Sequence, residues 1–255
     1  TINNLPALDE AMNRLTENLT IPCYQTDVSW RLKPAAFMDL AQEMANRHAT
    51  VLGFGYDNLI KTKTAWILSR MNIKFEKTPL WRDEVSLTTW HKGLNRLFFL
   101  RDFIMKDKEG NECVKSTTSW LVLNLETRRL VRDPHLMDEG TTCSDNVIET
   151  PADKVQMPKD IEPELIMEHK VAYSDVDLNG HTNNAMYMHW AMDAVDYSVA
   201  SARPVREMTI NFNHETKAED IVKIFKTDVE KEDGLHVFVE GKVGEESSFC
   251  VEIIF

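Results

Sequence analysis

Residues 173–190 read YSDVDLNGHTNNAMYMHW, and this stretch joins a polar loop to the start of an apolar helix. The loop carries Asp177, Asn179 and His181 at two-residue spacing, and all three side chains can take part in chemistry. It ends on two asparagines, a residue type that caps helix N-termini. Free backbone N–H groups at a helix start favour negative charge. The stretch therefore predicts a site for developing negative charge at the beginning of a buried helix.

The composition argues against several classes of function. The chain has 255 residues and a formal net charge of -12, so nucleic-acid binding has no electrostatic support. No apolar run approaches the roughly 20 residues of a membrane helix, and residues 1–19 lack the pattern of a signal peptide. The four cysteines are scattered, as is typical of free thiols, so we expect a cytoplasmic protein. Metal-binding and nucleotide-binding motifs are missing, so we expect neither a metal nor a cofactor.

The first half of the chain predicts one long helix followed by an antiparallel sheet. Residues 1–19 suggest a polar arm with weak helical character, and alternation within residues 21–32 predicts a strand. A helix with one broad apolar face should begin at Pro34 and extend over residues 36–49. Four strands should follow, at residues 64–77, 84–92, 96–106 and 112–125.

Residues 126–165 are charged, contain four prolines and show little periodicity, which predicts a long, partly extended linker. The order of elements then repeats, with a strand at residues 166–173 and a helix at residues 184–201. Four further strands are expected at residues 205–215, 220–230, 235–243 and 247–255. Because both halves share this order, we predict two tandem repeats, within residues 1–125 and 166–255.

The second helix begins with a sequence that is apolar nearly all round, so it must be covered on most sides. A strongly curved antiparallel sheet can wrap such a helix and bury most of its circumference. Two such units can also join their sheets edge to edge and protect otherwise exposed strands. The predicted fold class is therefore α+β.

Separated motifs along the chain point to one family. Residues 177–184 read DLNGHTNN, and residues 211–215 read NFNHE at the end of a predicted strand, with Thr216 following. Further matches lie at residues 66–70, 79–83, 89–90, 101–102, 119–120 and 127–130. Together these motifs resemble the acyl-acyl carrier protein (acyl-ACP) thioesterases of plants and bacteria, in which a cysteine often takes the place of Thr216. The resemblance spans residues 21–254 and implies two hotdog repeats, each a curved antiparallel sheet around a long central helix.

The resemblance implies hydrolysis of a fatty acyl-ACP thioester to a free fatty acid and the carrier thiol, in fatty acid biosynthesis. It implies a catalytic site of four residues whose roles it does not divide: Asp177, Asn179, His181 and Glu215. Backbone N–H groups of residues 180–183 are expected to stabilise the negative charge on the thioester oxygen. The corresponding loop at residues 27–31 lacks the Asn and His, so we expect one active site per chain. The first repeat should then mainly hold the acyl group.

The implied partner is an acyl carrier protein, and a homodimer is possible. Because such carriers are acidic, docking on a chain of net charge -12 requires a local basic patch. Two candidate patches are Arg128 with Arg129 and Arg132, and Arg203 with Arg206. Both could equally be ordinary solvated charges.

Other interpretations of these residues stay open. Asp177 and Asn179 are also common turn and cap residues. Residues 175–180 match the opening of a calcium loop, but Met186 stands where that loop needs a glutamate. Alternative functions are an acyl-CoA thioesterase, another hotdog thioester enzyme such as a dehydratase, or a non-catalytic acyl-binding module.

Overall fold

The computed structural model describes residues 13–131 and 141–255. Within those residues ten strands form one antiparallel sheet, and four α-helices pack against it. The strands are β1 Arg14–Thr20, β2 Thr64–Phe75, β3 Glu84–Asn95, β4 Phe98–Asp107, β5 Glu112–Asn124, β6 Glu164–Lys170, β7 Glu207–Phe212, β8 Ile221–Lys231, β9 Gly234–Val243 and β10 Glu246–Ile254. The helices are α1 Pro34–Val51, α2 Tyr56–Thr62, α3 Asn184–Ala194 and α4 Tyr197–Ala202.

The order of strands across the sheet is symmetric about its centre. It runs β1-β3-β4-β5-β2-β7-β10-β9-β8-β6, so β2 of the first half pairs with β7 of the second. Each strand of one half has its counterpart at the same distance from this junction. The structure confirms the predicted α+β fold with two tandem hotdog repeats, and it shows that the sheets join edge to edge.

The two central helices fill the concave side of the sheet. Helix α1 has Pro34 at its first position, where the missing N–H costs nothing. The buried residues of α1 and α3, including Phe37, Met44, Met188 and Trp190, belong to one core that contains side chains from both halves of the sheet. The prediction of two buried central helices is therefore confirmed for α1 and for α3, which covers the first part of the predicted second helix. Among the described residues, no helix combines the length and the apolarity needed to cross a membrane.

Several predicted elements near the first loop were wrong. Part of the expected polar arm is strand β1, which pairs with β3. Residues 21–32, expected as a strand, form a short 3-10 turn at Cys23–Gln25 and a loop. The alternation of apolar and polar residues there led to a wrong strand prediction, because Tyr24, Val28 and Trp30 lie on the surface instead of facing a core.

The predicted helix over residues 184–201 is interrupted. Val195 adopts an extended backbone (φ -74°, ψ 139°) and ends α3, and α4 begins at Tyr197 after Asp196. Val195 is buried in the core, so the break turns an apolar side chain inward. The apolar periodicity continues through the break, which is why the sequence predicted one helix.

In its described part, residues 141–163, the segment between the repeats forms no strand of the sheet and lies against strands of both halves. Its residues 132–140 lie outside the described residues. Beyond them, the Cys143 N–H donates to the His91 carbonyl, and the Val147 N–H donates to the carboxylate of Asp102. The side chain of Asn211 bonds both the N–H and the carbonyl of Val155, at 2.9 and 2.7 Å. These bonds hold the crossing segment against strands of both halves.

Candidate active site

The loop before α3 is a tight turn closed by its own backbone. Val176 and Thr182 form a β-bridge, and the Asp177 N–H donates to the His181 carbonyl at 2.8 Å. The Gly180 N–H donates to the Asp177 carbonyl at 3.0 Å, with Gly180 in the left-handed region at φ +77°. A residue with a Cβ would be strained at that position. The turn therefore presents Asn179 and His181 from a fixed backbone.

The carboxylate of Asp177 is committed to Asn179. Its Oδ1 accepts the backbone N–H of Asn179 at 2.8 Å, and its Oδ2 lies 3.4 Å from the Asn179 side-chain nitrogen. The turn-residue interpretation of Asp177 is thus correct for its Oδ1. The Oδ2 contact adds a constraint on the exposed Asn179 amide, whose NH2 group has this one partner for its two hydrogens among the described residues.

Glu215, just beyond the end of β7, reaches the same loop. Its Oε2 lies 3.4 Å from Nε2 of His181, and about one third of each side chain is exposed. Its Oε1 lies 3.2 Å from Nη2 of Arg128 and 3.9 Å from Nζ of Lys217. The structure therefore places Asp177, Asn179 and His181 on one loop and brings Glu215 to His181 from the end of β7.

Arg128 has a different environment from the one expected. It was predicted to share a docking patch with Arg129 and Arg132, but its guanidinium contacts Glu215. Arg132 lies outside the described residues. The second candidate patch is divided, because Arg206 donates to the backbone carbonyls of Asp233 and Phe255, whereas Arg203 does not share those contacts.

A buried hydroxyl network fixes the loop against the end of β7. Thr216, which is fully buried, places its Oγ1 2.6 Å from that of Thr182 and 3.0 Å from the Tyr187 hydroxyl. The Thr216 N–H also donates to the Tyr187 hydroxyl, at 3.0 Å. Burial raises the pKa of Tyr187 above its ordinary value, so its hydroxyl stays protonated. This network positions Glu215 one residue away, and the spacing of the motif did not indicate that Tyr187 would take part in it.

The expected oxyanion site over residues 180–183 requires correction. Three of those four N–H groups are already used inside the fold: Gly180 donates to Asp177, Thr182 to Thr216 and Asn183 to Asp175. Among the described residues, the N–H of His181 has no acceptor, and the N–H of Asn184 lies at the first position of α3, where no intrahelical partner exists. The donors that remain for a substrate oxygen are these two N–H groups and the amide of Asn179.

Helix α1 of the first repeat supports the loop from outside. Asn183 is the N-cap of α3, as one of two predicted alternatives, and its Oδ1 accepts the Ala185 N–H at 3.0 Å. That same Oδ1 accepts Nε2 of Gln42 at 2.9 Å, and Oε1 of Gln42 accepts Nδ2 of Asn184 at 2.9 Å. The sequence missed Gln42, because nothing in its spacing shows which helix edge will meet the other repeat.

Two other polar residues of the motif lie apart from the site. Asp175 is buried and accepts hydrogen bonds from the Ala172 N–H and from His169, at 2.7 and 2.8 Å. It therefore holds the turn before the loop. His214, next to Glu215, contacts the Ser247 carbonyl and the carboxylate of Glu246. Among the described residues, no group of three or more His, Cys, Asp or Glu side chains could hold a metal ion.

Comparison with known families finds a match in each half of the chain. Residues 13–138 match the acyl-ACP thioesterase N-terminal domain, and residues 158–252 match the acyl-ACP thioesterase C-terminal domain. The chain belongs to the acyl-ACP thioesterase family. Asp177, Asn179, His181 and Glu215 all fall within the C-terminal match.

Members of this family with solved structures share the fold along nearly the whole chain. An acyl-ACP thioesterase from Bacteroides thetaiotaomicron is 25% identical with a TM-score of 0.78, covering 97% of this chain and 99% of that one. The 12:0-ACP thioesterase from Umbellularia californica is 21% identical with a TM-score of 0.83, covering 95% and 93%. At that lower identity the likeness concerns the fold.

Plant relatives are longer than this chain. The chloroplastic oleoyl-acyl carrier protein thioesterase 2 of Arabidopsis thaliana is 26% identical over 227 residues, which are 83% of this chain and 62% of the relative. The chloroplastic palmitoyl-acyl carrier protein thioesterase of the same plant is 23% identical over 219 residues, 53% of its length. The chain thus spans between about half and three-fifths of the length of these curated relatives.

Proposed function

We propose that this protein hydrolyses fatty acyl-ACP thioesters to a free fatty acid and the carrier thiol. The observation that carries the proposal is the contact between His181 and Glu215 beside the exposed amide of Asn179. A base, a group that orients it and a hydrogen-bond donor for the carbonyl oxygen are what thioester hydrolysis by water requires. Membership of the acyl-ACP thioesterase family supports the same reaction.

In this proposal His181 activates the water. Oε2 of Glu215 lies 3.4 Å from Nε2 of His181 and is expected to accept its N–H once the substrate is bound. The Nδ1 lone pair of His181 then stays free to take a proton. The water oxygen attacks the thioester carbonyl carbon and gives its proton to His181. When the C–S bond breaks, that proton goes to the departing sulfur.

Asn179 is proposed to hold the carbonyl oxygen as it becomes negative. Its free side-chain N–H, with the backbone N–H of His181, donates to that oxygen. Asp177 keeps the Asn179 amide in this orientation through the 2.8 and 3.4 Å contacts. This engagement favours an orienting role for Asp177 over direct nucleophilic attack on the carbonyl, the alternative that its residue type also allows.

The carrier is proposed to approach the side of the site that bears Arg128 and Lys217. Both cations already face Glu215, and Arg129 is adjacent in sequence. An acidic carrier protein would be attracted to them although the chain as a whole carries a net charge of -12. We propose the first repeat as the part that holds the acyl chain. A cytoplasmic location is proposed from the four free cysteines, and a homodimer stays a prediction.

The test is the release of thiol from a panel of acyl-ACP and acyl-CoA thioesters, measured for the wild-type protein and for His181→Ala. The proposal expects turnover of acyl-ACP that His181→Ala lowers by about 10²-fold or more. Higher turnover of acyl-CoA than of acyl-ACP would instead establish the acyl-CoA thioesterase. Binding of acyl thioesters without any release of thiol would establish a non-catalytic module.

A further inference from the structure

A cavity of about 490 Å³ lies between the two repeats, where the loop of residues 26–33 of the first meets α3 and α4 of the second. By the internal symmetry of the chain, this is the place that the candidate active site occupies in the second repeat. The Leu32 N–H donates to the Pro79 carbonyl as the Thr182 N–H donates to the Thr216 carbonyl. Thr78, which lines the cavity, therefore stands where Glu215 stands in the other repeat.

Compared with the candidate active site, the cavity lacks the side chains that hydrolysis needs, although it is large enough to hold a ligand. Arg31 replaces His181, and its guanidinium is bound to the Asp27 carboxylate at 2.9 Å and to the carbonyls of Ala200 and Ser201. Neither this guanidinium nor the Thr78 hydroxyl can act as a general base at neutral pH. A molecule that enters this cavity would be bound without being cleaved.

The lining of the cavity contains both apolar and basic side chains. The apolar side chains include Leu32, Phe75, Met192, Val195 and Val205. The basic residues not engaged elsewhere are Lys33 and Arg203, and within residues 13–131 and 141–255 neither makes an ion pair. Asp193, an exposed carboxylate, is the acidic residue of the lining that also has no ion pair there, so the unpaired charges sum to a positive value.

We propose that this cavity binds an aliphatic carboxylate, the chemical class of the product that the proposed reaction releases. Lys33 and Arg203 would bind the carboxylate, and the tail would replace water against the apolar side of the lining. A volume of about 490 Å³ suits one medium-sized amphipathic molecule. The identity of the ligand as a product rests on the proposed function, whereas the binding itself does not.

The cavity also lies close to residues that support the active-site loop. His189 on α3 lines it, and the N-cap of the same helix is Asn183, at the end of the active-site loop.

The test is binding of decanoate, with 1-decanol and acetate as partial ligands, measured by calorimetry on the full chain. The double variant Lys33→Gln/Arg203→Gln should weaken decanoate binding by at least about 10-fold, because two charges that face the carboxylate are removed. The matched control Lys61→Gln/Lys159→Gln removes the same charge from exposed positions outside the cavity lining and should change nothing. Decanol and acetate should each bind far more weakly than decanoate.

Amide chemical shifts of the wild-type protein provide a second measurement that needs no variant. Decanoate should move the signals of residues 26–35 and 192–205. Three results would overturn the proposal. The first is an equal loss of decanoate affinity in both double variants, and the second is binding of acetate or decanol as tight as that of decanoate. The third is a set of chemical-shift changes confined to residues 177–184. Since no thioester is present, decanoate can bind even if the protein lacks thioesterase activity, so the two failures are distinguishable.

Discussion

The loops at residues 26–33 and 176–183 have nearly the same backbone and different chemistry. Each loop is closed by a β-bridge, and each turns at a residue in the left-handed region. In each, a backbone N–H near the end of the loop donates to a carbonyl just beyond a strand, at equivalent positions of the two repeats. In the first loop the turn residue is Trp30 at φ +66°, where the second has Gly180 at φ +77°. The repeat therefore preserved the turn even where a bulky residue is strained in it.

The decisive difference lies in what the aspartate of each loop binds. Asp27 accepts the N–H groups of both Ser29 and Arg31 and also pairs with the Arg31 guanidinium. Asp177 instead binds the backbone and amide of Asn179, so the N–H of His181 is left without an acceptor among the described residues. One loop is thus closed upon itself, and the other keeps donors free for a substrate.

The helices that follow the two loops differ in the same sense. Helix α1 begins with Pro34, which has no N–H, whereas α3 begins with Asn184, which has one. The second loop is also held by Gln42 of the opposite helix, and the equivalent residue of α3, eight positions from its start, is Met192. The two repeats thus differ in a few side chains placed on a shared scaffold, and we propose that these side chains confine catalysis to the second loop.

The largest expected effect is on the pair in the second loop. His181→Ala and Glu215→Ala should each lower acyl-ACP turnover by roughly 10²- to 10⁴-fold, because a base or the group that orients it is lost. Thr78→Ala, at the position equivalent to Glu215, is the matched control and should change turnover little. Steady-state kinetics on folded variants decide this, and a Glu215→Ala enzyme as active as the control would show that the two repeats do not differ as described.

Next in size is the effect of Asn179. Asn179→Ala should lower kcat by about 10²-fold with a smaller change in KM, because its amide acts mainly on the charge that develops in the transition state. Ser29→Ala tests the equivalent position of the closed loop. A rise in KM alone would mean that Asn179 binds the ground state and that the open donor is not catalytic.

A smaller effect is expected for Gln42, which acts through the N-cap of α3. Gln42→Leu should reduce kcat roughly 10-fold by letting the catalytic loop shift. Gln42→Glu retains an acceptor for Asn184 but loses the donor to Asn183, so its kcat should lie between those of the wild type and Gln42→Leu. Met192→Leu is the control on the opposite helix. If Gln42→Leu loses stability but keeps its kcat, the contact serves folding alone.

The repeats should also differ modestly in their response to acid. In the first, burial and the neighbouring Arg101 lower the pKa of His48 to about 3 and that of His91 to about 4. In the second, the buried His236 lies 2.7 Å from Glu252 and 3.0 Å from Asp233. The histidines of the first repeat are neutral in the fold and take up protons once unfolded.

Stability of the first repeat should therefore fall as pH drops from about 6.5 towards 4, by up to about 1.4 kcal/mol per pH unit for each histidine. Hydrogen exchange at pH 7 and pH 5, corrected for intrinsic rates, measures this for β4 against β9. Earlier loss of protection in β9 would contradict the assignment.

Much of the fold could be predicted from the sequence because buried apolar residues recur with the period of the helix or strand that contains them. The strands β2 to β5 and β7 to β10 were predicted within a few residues, since alternation and turns mark them. The strand prediction for residues 21–32 was wrong because the alternating aromatic residues there lie on the surface. The break in the helix at Val195 was not predicted, because an extended residue inside an apolar run leaves the periodicity unchanged.

The site was less accessible to sequence reasoning than the fold. The motif identified the four candidate residues, and the structure places them on or beside one loop. Which N–H groups are free, the contact of Arg128 with Glu215 and the support from Gln42 all depend on pairings between distant segments. Spacing along a chain carries no information about such pairings without a structure.

The most direct test of the account compares two double variants of equivalent residues. Asp177→Asn/His181→Gln alters the open loop, and Asp27→Asn/Arg31→Gln alters the closed one. Acyl-ACP turnover under saturating substrate should fall by about 10²-fold or more in the first and stay within a few-fold of wild type in the second, provided both are folded by circular dichroism. Turnover that persists in the first variant, or falls equally in both, would contradict the claim that catalysis belongs to the second loop alone.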